Sequence, residues 1–188
     1  MSPKRQLALR LGLVTLGAFI VQVALISQLQ PLGVTPDVLP LVVMSIGLLA
    51  GPVAGATVGF ALGLLVDFSL VQAIGVSSLI FTAIGYGAGR FRELRDPNSA
   101  LVPIIAGAAA AVVAFVGYGV VRFLLGLDAP VTWLLLRQIV LVIIYGGLLA
   151  LPVYAITRRL LQKVLPDEGK KRKRRAYATG GLSPLSRS

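Results

Sequence analysis

Asp67 is the side chain best placed for chemistry, because it interrupts an otherwise apolar stretch, GFALGLLVDFSL at 59–70. A carboxylate at the centre of a transmembrane helix costs about 2.5 to 3.5 kcal/mol on insertion scales, and less toward the interface. Asp67 therefore needs a partner or water. Arg122 and Arg137 are predicted to lie near the same membrane boundary, so either could form a charge-assisted ion pair with Asp67.

A simpler interpretation of the same charges is equally open. Asp67 could lie in headgroup water, while Arg122 and Arg137 extend to the interface with Asp128 as their surface counter-ion. These charges would then serve insertion in the membrane and carry no function of their own.

Five glycines recur at every fourth position, Gly47, Gly51, Gly55, Gly59 and Gly63. Such a row lets a second helix backbone approach closely in lipid, where packing rather than hydrophobicity drives helix association. Because the row drifts around the helix, it suits a crossing helix rather than a parallel one. Two interpretations stay open: packing within this protein, or docking of another protein's transmembrane helix.

The residue types needed for most catalytic and metal sites are missing. The 188 residues include no cysteine and no histidine, which excludes thiolate metal sites, disulfides and His-based proton relays. Gly85, Gly87 and Gly89 surround Tyr86, but they end a predicted membrane span and precede arginines, unlike a nucleotide-binding loop. We therefore expect no enzyme activity, no metal and no cofactor.

The composition is that of a membrane protein, with 56% hydrophobic and 13% charged residues. The length suits one bundle rather than two domains. Apolar runs and breakers predict six helices, with the second and fourth too short to cross a bilayer comfortably, at about 7–29, 36–50, 52–70, 75–91, 101–125 and 133–157. Thr35, Pro36 and Asp37 form a helix start signal for the second, and Gly51-Pro52 ends it.

The placement of basic residues predicts the orientation. The net charge is +11, and all of the 18 Lys and Arg residues except Arg122 and Arg137 fall on one side of a six-span topology. Cytoplasmic loops collect Lys and Arg, so both termini are expected in the cytoplasm, with the first span uncleaved. A five-span alternative, with 36–70 as one broken helix, would place the arginines near Phe91 outside.

The predicted domains are a transmembrane bundle at 1–165 and a disordered basic cytoplasmic tail at 166–188. Behind a transmembrane helix, a basic run is expected to attract anionic lipid headgroups, or to serve orientation alone, rather than to bind nucleic acid. The run consists of Lys170, Lys171, Arg172, Lys173, Arg174 and Arg175.

Several residues together resemble a known family. The pattern GF-x2-GL-x2-D covers Gly59, Phe60, Gly63 and Asp67, Gly75 follows eight positions later, and GYGAGR occupies 85–90. This pattern is similar to the MreD family of the bacterial rod-shape system, and the likeness covers roughly 7–162.

The resemblance implies a function and a fold. It implies a non-enzymatic protein of the inner membrane, in the elongasome that directs lateral peptidoglycan synthesis. The implied partners are MreC directly, and MreB with the elongation glycan polymerase and transpeptidase indirectly. The implied fold is an all-α six-transmembrane-helix bundle, similar to the substrate-binding subunits of energy-coupling-factor transporters.

Two functions compete on this basis. The first is a scaffold that maintains cell shape, in which a helix of MreC docks on the glycine row at Gly55, Gly59 and Gly63, while Asp67 anchors the outer end. The second is the substrate-binding membrane subunit of a vitamin or small-solute transporter, with Asp67 and an arginine in an outward pocket. Trp133, Gln72 and Gln138 are few polar or aromatic residues for such a pocket, which favours the scaffold.

Overall fold

The chain forms a bundle of six α-helices in the computed structural model, which describes residues 3–24, 37–70, 75–94, 101–124, 126 and 133–162. These ranges contain no strand, and the all-α prediction with six helices is confirmed. The helices are α1 Pro3–Ala24, α2 Leu39–Ala50, α3 Pro52–Leu70, α4 Val76–Leu94, α5 Leu101–Leu124 and α6 Trp133–Leu161.

Four helices, α1, α3, α5 and α6, are long and apolar enough to cross a membrane. The predicted shortness of the second helix is confirmed, since α2 has 12 residues and rises only about 18 Å. The fourth helix is longer than expected, because α4 continues past the predicted end at 91 to Leu94 and includes Arg92. The predicted tail at 166–188 lies outside the described residues.

Helix α2 lies at the centre of the bundle. Every residue from Leu39 to Leu49 is buried, and Val43, Met44 and Ile46 are fully inaccessible. A helix that is apolar on all sides is buried on all sides. Ser45 is tolerated there because its hydroxyl donates to the Leu41 carbonyl oxygen at 2.7 Å.

Helix α2 packs against two core clusters, one on each side of it. Val43 and Met44 face a core cluster that includes Phe81 of α4 and Ala106 of α5. The opposite side packs in a second cluster against α1 and α6, which contribute Leu11 and Leu161. The short helix therefore joins both halves of the bundle.

The chain reverses direction at Gly51, between α2 and α3. A Cβ placed on Gly55 would lie 2.7 Å from Gly47 Cα, whereas one continuous helix would separate these residues by about 12 Å. Gly51 adopts a φ of +97°, a backbone conformation that residues with a Cβ atom rarely adopt. Pro52 then begins α3. This geometry agrees with the predicted break at Gly51-Pro52 and argues against a single broken helix over 36–70.

The start of α2 differs from the prediction. The helix begins at Leu39, with Pro40 in its first turn, rather than at 36. Asp37 still serves the helix terminus, because its Oδ1 accepts the Leu39 backbone N–H at 3.0 Å. Gln22 of α1 accepts the Val38 N–H at 3.0 Å. Thr35 and Pro36 lie outside the described residues.

Helices α5 and α6 meet along small residues, which their spacing in the sequence did not predict. A Cβ on Gly107 would overlap the Cβ of Ala150, and one on Gly146 would lie 2.5 Å from the Cβ of Ala111. These residues let the α5 and α6 backbones approach closely, as glycine and alanine do in other membrane bundles.

Candidate functional site

The glycine row of α3 faces α4 and forms what we call the glycine seam, made of Gly55, Gly59 and Gly63 on α3 with Gly85 and Gly89 on α4. All five are buried. A Cβ on Gly59 would overlap the backbone carbonyl of Phe81, and a Cβ on Gly63 would overlap the backbone of Ser78.

Glycines of both α3 and α4 form the close contact between the two helices. A Cβ on Gly85 would overlap the Gly55 carbonyl, and one on Gly89 would overlap the Pro52 backbone. The two backbones touch, so no side chain fits between them. Gly47 of α2 also faces this seam, since a Cβ there would overlap the Gly85 carbonyl oxygen.

This geometry corrects the docking interpretation of the row. The sequence left open whether the glycines pack within the protein or receive a partner's helix, and in the structure α4 of the same chain fills the row. A partner helix could reach Gly55, Gly59 and Gly63 only by displacing α4. Phe60, also part of the family pattern, points away from the seam and is 53% exposed.

Asp67 closes the seam at the start of α4. Its side chain is 1% exposed, and its Oδ2 accepts the Gly75 backbone N–H at 2.8 Å. Its Oδ1 accepts the Ser77 N–H at 3.1 Å, and the Ser78 hydroxyl donates to Oδ2 at 3.4 Å. The first N–H groups of a helix have no partner within the helix and carry partial positive charge. Asp67 of α3 therefore caps the N-terminus of α4.

Gly75 makes this cap possible. Gly75 has a φ of +102°, a backbone conformation that glycine adopts more readily than other residues. In this conformation its N–H donates to Asp67. Its carbonyl oxygen accepts the Leu79 N–H at 3.0 Å, so α4 begins directly after it. Gly75 and Asp67 occur together in the family pattern, and here they are in direct contact.

Tyr118 of α5 extends this arrangement to a third helix. Its hydroxyl donates to Ser77 Oγ at 2.8 Å. We call this group of residues the capping cluster: Asp67, Gly75, Ser77, Ser78 and Tyr118. It ties the end of α3 to the start of α4 and the C-terminal half of α5 through hydrogen bonds, two of them from backbone N–H groups to the Asp67 carboxyl group.

Of the two predicted arginine partners of Asp67, the structure describes only the side chain of Arg137, which is not in this cluster. Arg137 is exposed, and the ion pair found within the described ranges is Arg90 with Glu93, at 2.6 Å. The Arg122 side chain and Asp128 lie outside the described residues, so a pair between Asp67 and Arg122 stays a prediction.

Basic side chains cap helix ends on the other side of the bundle. Arg92 of α4 donates to the Leu49 carbonyl oxygen at 2.9 Å, at the C-terminus of α2. Arg10 of α1 approaches the Leu160 carbonyl oxygen of α6 at 3.5 Å. A cation stabilises the negative end of a helix dipole, so these arginines contribute to stability as well as to charge.

Ser77, Ser78 and Tyr118 were missed at the sequence level. A signal was present, because Gly75 is followed within three positions by Ser77 and Ser78, and such residues at the start of an apolar run are typical of a helix N-terminus. Within the described ranges, no group of three or more His, Cys, Asp or Glu residues could hold a metal ion. What the observed geometry can do is hold three helices together.

One of three comparisons with known proteins agrees with the family resemblance of the sequence. The sequence model described as rod shape-determining protein MreD matches residues 4–164. Neither the curated proteins nor the solved structures yield a match, so the similarity to energy-coupling-factor transporter subunits stays a prediction. Because the match spans most of its length, the chain belongs to the MreD family of rod shape-determining proteins.

Proposed function

We propose that this MreD-family protein is a non-enzymatic scaffold of the cell-wall elongation machinery that binds MreC through packing of transmembrane helices. Family membership supports a role in rod-shape determination. The observation that carries the scaffold proposal is the use of Asp67, whose two oxygens both accept hydrogen bonds from the start of α4. The buried carboxylate of the family pattern thus serves helix assembly.

The glycine seam supports the scaffold by making it rigid. Backbone contact between α3 and α4, closed by the capping cluster, leaves little freedom for these helices to move apart. A rigid bundle presents its outward helix faces in fixed positions. MreC would pack against such a face rather than enter the seam.

The proposed location is the cytoplasmic membrane, with six crossings and both termini inside. The structure supports this by gathering basic residues at one end of the bundle. Arg92 contacts the end of α2, and Arg10 approaches the end of α6, which also bears Arg158 and Arg159. The capping cluster lies at the opposite ends of α3 and α4. Cytoplasmic ends of membrane bundles carry such basic residues.

At this membrane we propose further partners, both proteins and lipid. MreB and the glycan polymerase and transpeptidase would be reached indirectly through MreC. Anionic lipid would bind the basic run at 170–175, because each basic residue near such a surface contributes about 1 kcal/mol.

Co-purification tests the proposed function. Full-length tagged protein, co-expressed with full-length MreC and extracted in mild detergent, is expected to retain MreC, and the gene is expected to restore rod shape to cells that lack their own MreD. Absence of MreC from the purified protein, or retention of a vitamin-sized solute instead, would contradict the proposal.

A further inference from the structure

The uncharged stretches of α4 and α6 differ in length. On α6 this stretch lies between the exposed residues Arg137 and Arg158, which are about 32 Å apart along the helix. On α4 it runs from Val76 at the start of the helix to the exposed Arg90, a rise of about 21 Å. The α6 stretch therefore matches a bilayer core about 30 Å thick, whereas the α4 stretch is too short for it.

The shortness of α4 does not depend on which charge marks its end. Arg90 donates to Glu93 at 2.6 Å, and both side chains are exposed. Measured to Glu93, α4 rises about 26 Å. Helix α3 agrees with this, because its exposed large apolar residues run from Val53, beside the turn at Gly51, to Phe68, a rise of about 23 Å. Both helices of the glycine seam are therefore short on their outward faces.

Contacts through α5 relate the height of α4 to that of α6. At the end of the bundle with the capping cluster, Tyr118 of α5 donates to Ser77 in the first turn of α4. Counted along α5 and α6 from the contact of Ala111 with Gly146, Arg137 lies within about 3 Å of the level of Tyr118. The start of α4 and the first charge of α6 are therefore at nearly the same height.

The two helices differ at the basic end of the bundle. Phe91 near the end of α4 and Ile105 of α5 line one groove between these helices. Counted from the contact of Gly107 with Ala150, Arg158 of α6 lies about 9 Å farther along the bundle than Phe91. The charges of α4 are therefore closer to the middle of the bundle than those of α6.

We propose that the membrane is locally thinner beside α3 and α4 than beside α6, by about 5 to 10 Å, and that phospholipids with compressed or shorter acyl chains cover this side of the protein. A flat bilayer would draw Arg90 and Glu93 into the hydrocarbon core, where charged side chains are unfavourable. Tilting cannot relieve the mismatch, because a tilted helix spans less of the membrane. This inference goes beyond the proposed function and does not depend on MreC.

Spin labels at single cysteines measure the local thickness, since the chain has no cysteine of its own. Full-length protein in vesicles of dioleoyl phosphatidylcholine is labelled at Leu79→Cys or Gly87→Cys on α4, and at Val140→Cys or Ala155→Cys on α6. All four positions are exposed. The depth of each label below the nearer surface of the core is obtained from its collisions with oxygen and with a water-soluble nickel complex.

The two depths on one helix, added to the rise between the labels, give the thickness of the core beside that helix. A tilt of the whole protein deepens one label as it raises the other, so this thickness changes little. We expect about 21 to 26 Å beside α4 and about 30 Å beside α6. Equal thickness beside both helices would overturn the proposal, as would spin–spin broadening at positions 79 and 87 that shows a second copy covering α4.

Arg90→Leu combined with Glu93→Leu tests the cause of the thinning. The two substitutions lengthen the uncharged stretch of α4 at exposed positions, so the thickness beside α4 is expected to increase by about 5 Å and that beside α6 to stay the same. Arg90→Lys with Glu93→Asp keeps both charges and is expected to change neither. An unchanged thickness beside α4 in the leucine variant would contradict the proposal, and the wild-type comparison of α4 with α6 decides it without any charge substitution.

Discussion

At the residue scale, the cap that Asp67 provides explains why a carboxylate is stable at the end of an apolar helix. Its two oxygens accept hydrogen bonds from two N–H groups at the positive end of α4, and those hydrogen bonds replace lost hydration. Gly75 and Ser77 supply the donors, so the cap requires no second charged side chain. The cost of burying Asp67 is offset by satisfying a helix end that would otherwise lack partners.

Asp67→Asn is expected to lower the free energy of unfolding by about 1 to 3 kcal/mol, the cost of leaving a buried donor or acceptor without its hydrogen bond. The amide keeps the shape but places a donor where an acceptor is needed. Unfolding by SDS in mixed micelles measures the loss. Ser69→Ala is the control, since the Ser69 hydroxyl is exposed and donates to the Leu65 carbonyl of its own helix. An Asp67→Asn variant as stable as Ser69→Ala would contradict the cap.

Tyr118→Phe and Ser77→Ala, singly and combined, measure the contact of α5 with the capping cluster. The coupling energy of the double-mutant cycle is expected to be about 0.6 kcal/mol, the mean for hydrogen bonds between membrane helices. Additive effects of the two substitutions on the unfolding free energy would show that the bond from Tyr118 to Ser77 contributes nothing.

At the element scale, backbone contact at small residues organises two helix pairs. Gly55, Gly59 and Gly63 join α3 to α4, and Gly107 with Gly146 joins α5 to α6. Helix α2 lies between these pairs, and its all-round burial connects them. Large aliphatic residues remain on the outer faces, where lipid is the solvent.

Gly107→Leu is expected to destabilise the protein by about 1 to 3 kcal/mol, the typical cost of overpacking a close contact. Its side chain would meet Ala150 of α6. Gly119→Leu is the control on the same helix, because a Cβ there has no atom within 4 Å. Equal thermal stability of the two variants would contradict the α5–α6 contact.

At the scale of the whole molecule, polar residues divide between the two ends of the bundle. Arginines cap helix C-termini at one end, and Asp37 and Asp67 cap helix N-termini at the other. Helix dipoles favour this division, and the membrane orientation rule favours the basic end inside. The same residues thus stabilise helix ends and support the proposed orientation.

Single-cysteine labelling tests the orientation, since the chain has no cysteine of its own. Ser69→Cys is expected to react with a membrane-impermeant maleimide added to intact spheroplasts, because Ser69 is exposed beside the capping cluster. Glu93→Cys, at the basic end, is expected to react only after permeabilisation. The reverse pattern would overturn the proposed topology.

The sequence predicted the helices better than the contacts between them. Apolar runs and the Gly51-Pro52 break predict six helices, because composition and backbone geometry are local properties. The spacing of Gly55, Gly59 and Gly63 predicts close packing but not its partner, since either α4 or a foreign helix satisfies the same pattern. The cap on Asp67 was missed because charge alone suggested an arginine. The glycine and serines at 75, 77 and 78 indicate a helix start, but they do not indicate which acceptor their backbone N–H groups bind.

Purified protein without MreC tests the central claim, that the glycine row packs against α4, most directly. Thermal stability is compared for Gly59→Ala, whose Cβ would overlap the Phe81 carbonyl, and Gly87→Ala, whose Cβ meets open space. We expect Gly59→Ala to lose about 1 to 3 kcal/mol of stability and Gly87→Ala to match the wild type. A Gly59→Ala protein that is as stable as wild type by itself, yet no longer retains MreC, would show that the row is a docking surface and contradict the account.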